Sequence, residues 1–582
     1  MRKVLLTFIL VACAISAMAQ WTDNTDENNR ITAKDAELYE TVLKVLPDGT
    51  SYFLFNRPYQ GSIVTFLQII DKEGKLLFPE EGKIISQHPT RGYTVINDLI
   101  MTDKDNNAVI IAHDYRNSND ELRKMSYTAY KVSPTGEMLW GNDGIDLNQG
   151  RSFDIQAALR MVQTEDGSYV FAWMNQIGEI MYIQMQRLSA SGEIQWDNYL
   201  ELKDDAISYA YPYLTNAGNN QVNLVYAKGT NQDIMVRKID FDGSNVWPKD
   251  VLVYRGGFPN IPLHVILNVV RDPKGGVFIS WYDDRSFTNK ESSYVSYVKP
   301  NGTLAFASGE QGECVGYSDL RTFGPEMIYD ETEDCLFLIW RETNENQSYQ
   351  RIMAQKMAMT GELKWGPGGV EVSPLDRFAS GYYSIQSAGP GEMAAFYMLQ
   401  HAAGYGDVQA YAVRLDKDGN RVWGENPAVL ASSHSEKNSL TSSPLINNSY
   451  WLAMWEDQRT FTTDPAEKKI GKTYLQKVNL DGTFGGSTSI TTAKTGINTF
   501  NAYQNPAEDN FLFTFDNEQQ GLVDISIYSI SGQKVAIACH QTMDKGNSEL
   551  TWNAQSANIA GGVYLATLTT ASGSQSVRII IK

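Results

Sequence analysis

The chain has 582 residues, of which 42% are hydrophobic and 20% charged, with 49 Lys and Arg against 68 Asp and Glu. That length exceeds what one compact core usually organises, and the composition excludes wholesale disorder. A formal net charge of −19 disfavours a nucleic-acid partner.

Residues 1–19 read as a secretory leader. Arg2 and Lys3 precede an apolar run from Val4 to Ile15, and Ala17-Met18-Ala19 supplies a small-residue cleavage site between Ala19 and Gln20. Twelve apolar residues are too short for a bilayer span, which needs about 20. The alternative is a lipobox at Leu10-Val11-Ala12-Cys13, with a lipid on Cys13. No later stretch is apolar enough to cross a membrane as a helix. Cleavage leaves 47 basic and 68 acidic residues, and three cysteines, Cys314, Cys335 and Cys539. That is no disulfide scaffold. Cys314 and Cys335 can pair only if neighbouring repeats bring them together; otherwise they are buried thiols.

From residue 37 to 492 the chain repeats, after an N-terminal segment at 20–36. Glycines recur at 74, 136, 192, 243, 302, 361, 419 and 482, in segments such as DKEGKLLF, SASGEIQW and DKDGNRVW. Four residues after the glycine stands an aromatic: Phe78, Trp140, Trp196, Trp247, Phe306, Trp365 and Trp423, with only the eighth unit lacking one. A second slot upstream holds Phe55, Ala112, Trp173, Tyr226, Trp281, Trp340, Tyr397 and Trp455. Polar turn residues with a Gly between apolar runs predict hairpins. Segments such as YIQMQRL read as half-buried strands, giving four short strands per unit. Such units cannot bury their apolar faces alone and must stack. The expected fold is all-β: a β-propeller of about eight four-stranded blades, or seven if one terminal unit packs outside the ring.

The repeat tryptophans read as wedges between sheets rather than sugar platforms. Three units continue the second slot with an acid and a base, Asp114 and Arg116, Asp283 and Arg285, Asp457 and Arg459, read as structural charge pairs. Asp240-Phe241-Asp242-Gly243 and Asp416-Lys417-Asp418-Gly419 lack the distal Glu of a calcium loop and read as hairpin tips. The six histidines are scattered, and HExxH, GxSxG and phosphate-binding glycine motifs are missing. No catalytic residue, cofactor or metal is therefore assigned, and an enzyme stays open only through fold analogy.

A Thr/Ser/Gly/Asn-rich linker at 493–504 leads into a different all-β unit at 505–582. It carries Asn505-Pro506, then IYSISGQKV with Gly532 and Gln533, then Gly561-Gly562-Val563-Tyr564-Leu565, and ends in RIIIK at Lys582. These ordered motifs resemble the C-terminal sorting domain of type IX secretion, the Por secretion tail; Gln504 departs from the Pro usual there. The resemblance implies an Ig-like β-sandwich recognised by an outer-membrane translocon in a Gram-negative cell. It also implies a sortase that attaches the passenger to surface lipopolysaccharide, so the chain is expected at the cell surface or in the medium. The passenger is expected to bind a polysaccharide or protein at its loop face or central channel, through loops 283–294, 342–351 and 457–473. The alternatives are an enzyme acting on glycans or peptides and a structural surface-layer component.

Overall fold

The computed structural model describes residues 21–31, 38–79, 81–88, 100–117, 126–151, 153, 155–256, 267–285, 290–377, 379–401, 406–459, 472–485, 500–503, 507, 510–517, 520–529, 534–557, 559–570 and 573–582. The leader with Ala19, Gln20 and Cys13, most of the 493–504 linker, and Asn505, Pro506, Gly532 and Gln533 lie outside these residues. The chain divides into two compact units, Met1–Gly486 and Ser487–Lys582.

Among the described residues the first unit holds eight four-stranded antiparallel sheets in a propeller-like array, seven of them with their strands in sequence order. Sheet 1 runs from Tyr39–Val45 to Lys83–Ser86 and sheet 2 from Ile100–Thr102 to Ile145–Asp146. Sheet 3 runs from Gln156–Gln163 to Leu200–Leu202, and sheet 4 from Tyr209–Asn216 to Val251–Tyr254. Sheet 5 spans Asn268–Arg271 to Glu313–Cys314, sheet 6 Arg321–Asp330 to Val370–Asp376, and sheet 7 Ala379–Gly389 to Ala428–Ser435. Sheet 8 takes three strands, Lys437–Ser442, Tyr450–Asp457 and Lys472–Asn479, from the end of the repeats. Its fourth strand is Asn29–Arg30, with Asn29 opposite Leu475 and Arg30 opposite Tyr474. The segment that stands apart from the repeats in the sequence thus completes the last of them.

Consecutive sheets share buried apolar clusters, and the series returns to its start: Phe53, Val64 and Ile70 of sheet 1 pack with Leu452, Met454 and Leu475 of sheet 8. Because both faces of a sheet are covered, its middle strands are buried over most of their length. Ala108–Asp114 is buried at every position. The same cause corrects the half-buried reading of the third strands, since Tyr182 to Leu188 is buried throughout. Their polar residues are spent on the backbone. Gln186 donates to the Trp196 carbonyl at 3.0 Å, and Gln355 accepts from the Trp365 N–H at 2.9 Å. Gln68 grips the backbone of Phe78 in the same way. Cys314 and Cys335 are free thiols.

The second unit is two antiparallel sheets of three and four strands around one apolar core that includes Phe511, Phe513, Trp552, Ile525 and Leu568.

Candidate functional site

In an antiparallel meander the first and third turns of every sheet fall at one end and the second turn and the crossover to the next sheet at the other. The two ends differ. At the turn end, the third turn has one construction in all eight units, closed by a bridge that leaves five residues between its partners, from Ile70↔Leu76 to Val478↔Phe484. The fourth of those residues is the repeat glycine, with φ between 80° and 94°, a backbone region that favours glycine.

The first-slot indoles bind these turns across the sheet boundary. Trp140, Trp196, Trp247, Trp365 and Trp423 each donate from Nε1 to a carbonyl of the next unit, on Ala190, Phe241, Pro300, Lys417 and Leu480, at 3.0–3.4 Å. The acceptor always lies two residues before the next glycine. The ring also lies against that glycine: a Cβ on Gly302 would come within 2.9 Å of the Trp247 indole. The eighth unit has no such aromatic of its own, and Trp21 takes the part. Its Nε1 donates to Lys72 O at 3.0 Å, two residues before Gly74, and its carbonyl packs on Gly485. Gln476, the counterpart of Gln186, holds Thr22 O at 2.8 Å. Sequence reasoning missed Trp21 because it is hundreds of residues from its own unit. It also missed the glutamine ten residues before the aromatic at Gln68, Gln186 and Gln355, a spacing that was visible.

At the other end the connections between second and third strands vary from two residues (60–61) to fourteen (458–471). Parts of the three loops expected to face a ligand, 286–289 and 460–471, lie outside the described residues. Just beneath them sit the second-slot rings. Trp173, Trp281, Trp340 and Trp455 are fully buried. Trp281 donates to Asp283 at 2.8 Å, Trp340 to Glu342 at 3.2 Å and Trp455 to Asp457 at 3.2 Å, because residues two apart on a strand share a face. Each carboxylate holds an arginine: Arg285, Arg351 and Arg459. Tyr226 and Arg237 on two strands of sheet 4, with Asp250 just before its fourth strand, build the same trio, and Asp114 with Arg116 does so in sheet 2 using Tyr130. The three Asp–Arg pairs visible in the sequence are thus part of five such clamps. Arg459 reaches farthest, to the carbonyls of Asp26 and Glu27 and to Asn28 Oδ1, and so ties the N-terminal strand down. Burial works to raise the Asp457 pKa, yet the hydrogen bond from Arg459 and the charges of Lys437 and Arg459 hold it below the ordinary carboxylate range.

The first strands of most neighbouring sheets lie against one another. In sheets 1, 3, 4, 6 and 8 this strand is bulged opposite the second-slot ring, and the bulge holds Ala158, Tyr211 and Ser439 at φ of 53–56°. Strained bulges re-aim side chains and cluster near functional sites. Directly after the bulge of sheet 6 stands Glu326, whose pKa burial pushes up to about 8. Tyr383 of sheet 7 donates to the bulge carbonyls of Phe323 and Gly324 at 3.2 and 2.5 Å, and burial followed by the Glu326 charge raises its pKa. Burial likewise raises Glu456 of sheet 8, opposed by a hydrogen bond from Thr41 at 3.1 Å. Among the described residues no group of three or more His, Cys, Asp or Glu is placed to hold a metal ion, and no helix is long and apolar enough to cross a membrane.

In the second unit, three motifs distant in sequence become neighbours. Gly562 lies opposite Ile581 and Tyr564 opposite Ile579, while Tyr564 pairs on its other side with Ser529. The Tyr564 hydroxyl donates to Ala560 O at 2.8 Å, and Lys582 is held by its N–H to Ala507 O at 2.9 Å. The C-terminal strand is therefore an integral strand of the sheet.

Residues 501–582 match the family described as the secretion system C-terminal sorting domain. No curated protein matches the chain. Among solved structures, similar folds include the Dos1 propeller, at 12% identity over 80% of this chain and 96% of that one, with a TM-score of 0.43. The polysaccharide lyase Uly1 is similar at 12% identity over 65% and 90%, with a TM-score of 0.37. Prolyl oligopeptidase B from Galerina marginata is similar at 12% identity over 75% and 56%, also at 0.37. Likeness this distant carries no argument about activity, and the fold rests on the sheets themselves. The chain is a β-propeller-like repeat passenger that ends in a type IX secretion C-terminal sorting domain.

Proposed function

We propose that the eight sheets are the blades of one closed propeller, carried by its tail to the surface or surroundings of a Gram-negative cell as a binding module for polysaccharide or protein. The observation that carries this reading is the difference between the two ends. Five-residue turns of one construction seal one end, while the other pairs rigid clamps with connections of very different length. Loops of variable length on a fixed scaffold are where recognition residues usually reside. The sorting family supports export, and removal of residues 1–19 and sortase attachment follow from the same reading. Deleting 505–582 should trap the passenger in the periplasm; normal display of that truncation would refute the assignment. A glycan and protein-ligand screen with the secreted chain should find binding without turnover.

One observation favours an enzyme as the second reading. Glu326, on the first strand of sheet 6, and Glu456, on the second strand of sheet 8, are carboxyl groups with pKa values raised by burial, the condition a general acid needs near neutral pH. Product release that is abolished in Glu326→Gln would establish catalysis.

A further inference from the structure

The Asp114–Arg116 clamp reaches across a sheet boundary, as the Asp457 clamp does through Ser435. Ser86, on the outer strand of sheet 1, approaches Asp114 Oδ2 at 3.3 Å. Arg116 Nη2 binds the Tyr130 hydroxyl at 2.6 Å and Nη1 binds the Asp143 carbonyl at 2.7 Å. The buried pair therefore joins two walls, the Lys83–Ser86 strand of sheet 1 and the Met138–Asp143 segment of sheet 2. Between them lies a cavity of about 550 Å³, within the usual range for small-molecule sites.

Its floor is aliphatic: Ile84, Ile85 and Met138. Its rim carries Gln87, His88, Asn142 and Asp143, and the side chains of these four residues have no hydrogen-bond partner among the described residues. The backbone that bears Asp143 is held by Arg116, so this carboxylate is positioned but uncommitted. A second cavity, of about 400 Å³ at the turn end, is different. There Asp334 is paired with Lys274 at 3.1 Å, Lys364 with Glu362 at 2.6 Å, and Lys417 O with the Trp365 indole. These groups already serve the fold.

We propose that the cleft between sheets 1 and 2 is a subsite for a neutral oligosaccharide, an inference that rests on the binding reading above. Two amides and a carboxylate offer donors and acceptors side by side, as vicinal hydroxyls require. The aliphatic floor suits the C–H face of a sugar ring. Lys83, already donating to Gly136 O at 2.5 Å, is the one Lys or Arg among the residues that line the cleft, and Arg116 beside Asp143 is neutralised by Asp114, so the cleft offers no field for a phosphate or polyanion.

The secreted full chain would be screened on an array of neutral and uronate-bearing oligosaccharides, with the best neutral ligand then titrated calorimetrically against Asp143→Ala, Asn142→Ala and the cavity-filling Met138→Trp. Unchanged melting temperatures for the two rim variants show that they fold. The expected result is neutral-glycan binding weakened at least tenfold in each rim variant and lost in Met138→Trp. Binding unaffected by all three removes this cleft and leaves the module reading standing. Exclusive binding of acidic glycans overturns the neutral assignment. Binding of no glycan ends both the cleft and the polysaccharide arm of the proposed function.

Discussion

The turn end and the loop end of the repeat unit are built from the same strands but under different rules. At the turn end most units solve one problem: a ring from one sheet must lie on the turn of the next. The solution is repeated with Gly, an aromatic and often a Gln at fixed spacing. At the loop end the shared element is a buried aromatic with an acid and an arginine, reached by different routes in different sheets, and above it the loops diverge. A boundary that every sheet shares imposes a repeat; a surface that meets only solvent or ligand does not.

Substitutions at the two ends should therefore differ in kind. The largest effect is expected from removing residues 21–31, which deletes the fourth strand of sheet 8, the Trp21 lock and the Arg459 anchor. The first unit should unfold at a markedly lower temperature, and Trp21→Ala alone should cost about 3–5 kcal/mol. Arg459→Ala comes next, at about 3–5 kcal/mol, because it leaves Asp457 buried with its guanidinium partner gone. The folded-state pKa of Asp457 is depressed, so the stability this clamp contributes is present above the ordinary carboxylate range and lost as pH falls through the folded value. The gap between wild type and Arg459→Ala should narrow in acid melts. Gly302→Ala, at φ 80° and against Trp247, should cost about 1–3 kcal/mol. The smallest effect has the opposite sign. Glu326 has a raised pKa, so the protein loses stability as pH rises from its unfolded value towards about 8. Glu326→Gln should raise the melting temperature by about 1–3 °C at pH 8 and leave it unchanged at pH 4.

What the letters revealed follows the same division. The period and the four-strand unit were legible because the glycine turn and Trp140, Trp196, Trp247, Trp365 and Trp423 answer to one geometry. The sorting motifs were legible because Gly562, Tyr564 and the terminal strand pair directly. Trp21 was not, since no local spacing links it to Gly485. The clamps of sheets 4 and 6 escaped notice because Asp250, just before the fourth strand of its sheet, and Arg351, on a neighbouring strand, are brought in only by pairing. The buried third strands were misread because alternation normally signals one wet face, whereas here Gln186 and Gln355 are covered and bonded. Glu326 carries no motif; its environment is made by the sheet 6 bulge and Tyr383.

The claim on which the rest depends is that the N-terminal strand closes the repeats by joining sheet 8. Just ahead of that strand Thr25 meets the last strand of sheet 7, the neighbour of sheet 8: its hydroxyl lies 3.1 Å from that of Ser432, 407 positions away in sequence. A Thr25→Cys, Ser432→Cys variant should form a disulfide on mild oxidation and unfold at a higher temperature than its reduced form, while either single variant should not. Two thiols that stay freely reactive in the folded double variant would contradict the closure.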